Sequence, residues 1–91
     1  MYLVVVIVEY EAGDAAITDQ YVMSKVRAAT AVTDGLQHSY VEVDAHCINF
    51  CLYVQAIDRA CALNRVEQLC RRTMATIARP GEWNLEIKTI S

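Results

Sequence analysis

A chain of 91 residues with a formal net charge of -3 suits one domain, and 55 % apolar content against three glycines and one proline leaves little for long loops or disorder. The longest unbroken apolar run, Leu3 to Val8, is far short of the roughly 20 residues that cross a bilayer, and no Lys or Arg precedes it. Neither a membrane helix nor a secretory signal is therefore expected, and the location expected is cytoplasmic.

Tyr2 to Tyr10 (YLVVVIVEY) is rich in β-branched and aromatic residues and apolar on both alternating sets, the pattern of a central strand covered twice. After Glu11-Ala-Gly-Asp14 a helix is expected from about Asp14 or Thr18, each a suitable N-cap, to Ala31. Val22, Val26 and Ala29 form its core stripe, and Thr33-Asp34-Gly35 ends it. From about Gln37 to Ile57 the period changes to two, which predicts a hairpin with its turn around Ala45-His46. Asp58 then caps a helix over Arg59 to Ala78, in which Leu63, Val66, Leu69, Cys70, Thr73 and Ile77 share one arc. Pro80-Gly81 stops it, and Glu82 to Ile90 alternates as a last strand with Trp83, Leu85 and Ile87 facing in.

The order β-α-β-β-α-β over residues 1–91 is that of a ferredoxin-like α+β sandwich, a single domain with a four-stranded antiparallel sheet and two helices on one face. The strand order expected is 4-1-3-2. Such a fold hosts many functions and assigns none by itself.

One face of the sheet is then open. With Leu3, Val5 and Ile7 pointing to the helices, Tyr2, Val4, Val6 and Val8 would point away from them, beside Cys51, Tyr53 and Tyr40 of the hairpin. Glu42, Asp44, Asn84, Glu86 and Lys88 would surround them, and an apolar centre with a charged rim is the composition of an interface. These residues are the expected docking surface, for a second copy of the chain or for a larger protein.

Charge is unevenly placed. Through Asp58 acids outnumber bases eight to two, and from Arg59 onward bases lead six to three. Arg65 and Arg72 on the second helix are candidate contacts for an acidic partner. Nucleic acid is not expected, because the chain as a whole is acidic and no aromatic residues interleave with the arginines.

No motif carries catalysis. Glu9, Glu11 and Asp14, with His38 and His46, are residue types suited to acid-base or cation chemistry but are also what exposed loops and turns contain. Cys47 and Cys51 lie about 13 Å apart on one strand, and Cys61 and Cys70 lie on opposite faces of one helix, so neither pair forms a local disulfide or metal site. Reduced thiols, no metal and no cofactor are expected. The function expected is a small noncatalytic protein-binding module acting as a regulator, inhibitor or immunity-type partner. The alternative is a dimeric α+β-barrel protein holding a small apolar ligand between sheet and helices, with Tyr53, Tyr40 and His38 as its polar groups and oxygenase or isomerase chemistry.

Overall fold

The computed structural model describes residues 1–10, 17–44, 46–78 and 81–91. The elements are β1 (Tyr2–Tyr10), α1 (Asp19–Ala29), a 3-10 turn (Val32–Asp34), β2 (Leu36–Val43), β3 (Cys47–Val54), α2 (Arg59–Ala75) and β4 (Trp83–Ile90). They form one antiparallel sheet in the order β2-β3-β1-β4, the expected 4-1-3-2, with both helices on one side. This is the ferredoxin-like α+β arrangement.

Local chemistry sets the element ends. Thr18 caps α1, its hydroxyl accepting from the Tyr21 N–H at 3.1 Å, while the alternative cap Asp14 lies outside the described residues. Asp19 also accepts from the Val43 N–H at 2.9 Å, which ties the start of α1 to the end of β2. Asp58 caps α2 by accepting from the Cys61 N–H at 2.7 Å. Gly35 joins the 3-10 turn to β2 at φ 67°, and a Cβ there would sit 2.5 Å from the Gln55 carbonyl oxygen, so only glycine fits.

The core lies between sheet and helices. Val4, Val6 and Val8 of β1, each 0 % exposed, meet Ile48, Phe50, Leu52 and Val54 of β3, with Val41 of β2 beside them. Val22 and Val26 of α1 and Ala62, Val66, Leu69, Cys70 and Met74 of α2 cover them. The buried Thr73 hydroxyl donates to the Leu69 carbonyl at 2.9 Å, so no polar demand is left on that helix face by this side chain. Burial also pushes the Cys70 thiol up to about 12.

The facing of β1 is the reverse of that expected from the sequence. The alternation predicts Tyr2, Val4, Val6 and Val8 on the open side, but all three valines are core and Tyr2 packs against the core too. The register gives the reason: Val4, Val6 and Val8 pair with Leu52, Phe50 and Ile48, the residues of β3 that point to the helices. Side chains alternate along a strand, so Leu3, Val5 and Ile7 must take the other side.

Candidate functional site

The open side of the sheet is built in cross-strand rows. His38, Tyr53 and Leu3 make one row, and Tyr40, Cys51, Val5 and Thr89 the next. Glu42, Asn49, Ile7 and Glu86 follow, and Cys47, Glu9 and Asn84 end the series. Leu3, Val5 and Ile7 are half-buried by their strand neighbours, but they are not among the residues packed against the core. Tyr40 is 56 % and Tyr53 37 % exposed, and the His38 and Tyr53 rings lie 6.1 Å apart, tilted by 53°. Among the described residues, no element covers this face.

Its electrostatics are graded from end to end. Glu9, Glu42 and Glu86 sit in the last two rows, whereas His38 sits in the first. Lys88 stands beside Glu86 at 3.9 Å, an exposed pair that contributes little to stability. A cleft of about 680 Å³ opens at the acidic end, where Ile7, Glu9 and Cys47 meet Tyr10 and Trp83. There the Tyr10 hydroxyl donates to the Asp44 carbonyl at 2.9 Å, and its pKa is raised by burial first and by nearby Cys47 and Asp44 second. The Trp83 Nε1 is buried without a hydrogen-bond partner among the described residues, and the Arg71 guanidinium lies 5.8 Å from the indole ring.

Of the residues expected on the surface, Tyr40, Cys51 and Tyr53 do share the open face, and Glu42, Asn84 and Glu86 border them. Tyr2, Val4, Val6 and Val8 do not belong there. The residues missed are Leu3, Val5, Ile7, Asn49 and Cys47. One signal was present: Glu9 shares its alternating set with Leu3, Val5 and Ile7, and a carboxylate marks the wet side of a strand.

The two helix arginines have partners within the chain. Arg72 pairs with the mostly buried Asp34 at 2.6 Å and donates to the Ala29 carbonyl at 3.3 Å, fixing the 3-10 turn against α2. Arg65 donates to the Gln55 carbonyl at 2.7 Å, beside Gly35. Both are engaged within the fold, and the Arg72 side chain remains 43 % exposed.

For chemistry the arrangement offers little. All four cysteines are free thiols, and no group of three His, Cys, Asp or Glu suited to a metal occurs among the described residues. Glu11 and Asp14 lie outside the described residues, so the acidic group expected with Glu9 is represented there by Glu9 alone. Cys61 lies in the first turn of α2, away from the open face. No helix is long and apolar enough to cross a membrane among the described residues. Comparison with protein-family models, with curated proteins and with solved structures gave no match to this chain.

Proposed function

We propose that the chain is a noncatalytic protein-binding module whose working surface is the open face of its sheet, serving as a regulator or inhibitor by docking rather than by reaction. The observation that carries this reading is the strip Leu3, Val5, Ile7, Cys51 and Tyr53, apolar at its centre and rimmed by Glu9, Glu42, Glu86 and Lys88, with no element of the described chain packed over it. A core of apolar groups inside a charged border is how docking surfaces exclude water while keeping the free chain dispersed. The cleft beside Ile7 lies at the opposite end from His38 and Tyr53, so those groups do not line it as the small-ligand alternative requires.

The test is native mass spectrometry of the chain isolated from its own host under reducing conditions, with Val5→Asp prepared in parallel. A protein subunit carried by the wild type and lost from a folded Val5→Asp variant is the expected outcome. A retained small molecule in place of a protein would move the assignment to the ligand-binding alternative. A bare monomer from the host would count against docking through this face.

A further inference from the structure

We infer that the first occupant of the open face is a second copy of the chain, docked sheet on sheet about a two-fold axis that runs across the strands along the row Tyr40, Cys51, Val5 and Thr89. This rests on the docking-face reading above and names its partner and orientation.

Area comes first. Four strands at about 4.8 Å spacing and 8 residues at about 3.3 Å give a face of roughly 19 by 26 Å, about 500 Å² per copy. Two such faces remove about 1,000 Å² from water, the lower bound for a specific protein interface. One copy therefore offers a face of the size the other needs, and a two-fold pairing closes on itself.

Charge then chooses between the two orthogonal ways of laying one face on its copy. With the axis parallel to the strands, each row meets its own equivalent and β2 lies over β4 of the partner. Glu42 then opposes the partner's Glu86, and the acidic ends of both copies coincide. Like charges placed opposite each other are destabilising. With the axis across the strands the rows invert and each strand lies over its own equivalent. Tyr40 meets the partner's Tyr40, Leu3 meets the partner's Ile7, and Glu9 reaches past the partner's edge into solvent. Because His38 and Glu42 stand two positions either side of Tyr40 on β2, Glu42 of each copy meets the partner's His38, which makes two such contacts in the dimer.

Within one chain His38 and Glu42 are four residues apart, about 13 Å, too far to pair, so placing a carboxylate at one position and an ammonium at the other reports on contact between copies. Sedimentation velocity over a wide concentration range reads the outcome. The wild type should double from 10.2 kDa, and Val5→Asp should stay a monomer. Tyr40→Glu, at a tyrosine 56 % exposed beside the strip, should do so as well and covers the case in which Val5→Asp fails to fold.

His38→Glu alone should weaken the dimer by about tenfold or more, since two like-charge contacts are created. The double variant His38→Glu with Glu42→Lys should return to within about threefold of the wild type. A wild type that stays monomeric overturns the second copy and leaves the face to a foreign protein. A dimer that persists in both Val5→Asp and Tyr40→Glu overturns the docking face itself. A dimer that these variants abolish but the double exchange does not restore overturns the orientation.

Discussion

The two sides of β1 are nearly the same in composition and opposite in fate. Val4, Val6 and Val8 are sealed between sheet and helices, whereas Leu3, Val5 and Ile7, equally apolar, stand on the side away from α1 and α2. Apolar content therefore does not decide which side of a central strand becomes core. The neighbouring strands decide it, because β3 offers Ile48, Phe50 and Leu52 to one side and Cys47, Asn49, Cys51 and Tyr53 to the other. Burial on the first side stabilises the monomer. Apolar area left on the second becomes stabilising only when a partner removes it from water.

The widest separation between the sides should come from introducing a charge on each. Val6→Asp places an unpaired carboxylate in the core and should cost about 4 kcal/mol or more in urea unfolding, enough to threaten a domain of this size. Val5→Asp, measured at concentrations where the chain is monomeric, should cost less than about 1 kcal/mol. The reverse ranking would restore the facing first expected from the sequence. A smaller contrast comes from truncating adjacent residues of β3. Phe50→Ala should lose about 3 to 5 kcal/mol through the cavity it leaves, and Asn49→Ala less than about 1 kcal/mol.

How much of this the sequence carried depends on which residues had distinct neighbours. The hairpin was legible because Val41, Val43, Ile48, Phe50 and Leu52 alternate with polar or smaller residues, and the period of two gives each strand its inner side. The cap Asp58 was legible, and Thr18 as one of two candidates, because N-capping is a local hydrogen bond. The facing of β1 was not, since both of its alternating sets are apolar and the deciding contacts lie 40 to 48 positions away. The use of Arg72 was hidden for the same reason, because its partner Asp34 is 38 positions distant. The 3-10 turn, read only as a helix end, depends on that same pair and on Gly35.

Two further measurements refine the contrast. Cys70 is held protonated by burial, its pKa pushed up to about 12 from an ordinary 9.0, so the folded state retains a proton that the unfolded chain gives up. That contribution is fully present below pH 9 and is lost as pH rises from there toward 12. The wild type should therefore lose stability across this window more steeply than Cys70→Ala, by at most one proton's linkage, in chemical unfolding followed against pH. The smallest effects belong to α2: Arg72→Ala should cost about 1 kcal/mol through Asp34, and Arg71→Ala, whose 3.7 Å partner Glu67 is exposed, less than about 0.5 kcal/mol.

The placement of β1 between β3 and β4 has a consequence during synthesis. Val6 pairs with Phe50 on one side and Ile87 on the other, so β1 is completed by a strand made 81 positions later. At about 5 to 20 residues per second, β1 leaves the ribosome some 4 to 16 seconds before its second neighbour exists. Through that interval Leu3 to Val8 is a flat apolar segment without Pro, Gly or charge, the kind of stretch that recruits other nascent strands. The chain's yield in the cell should accordingly depend on what shields this segment while β4 is still being made.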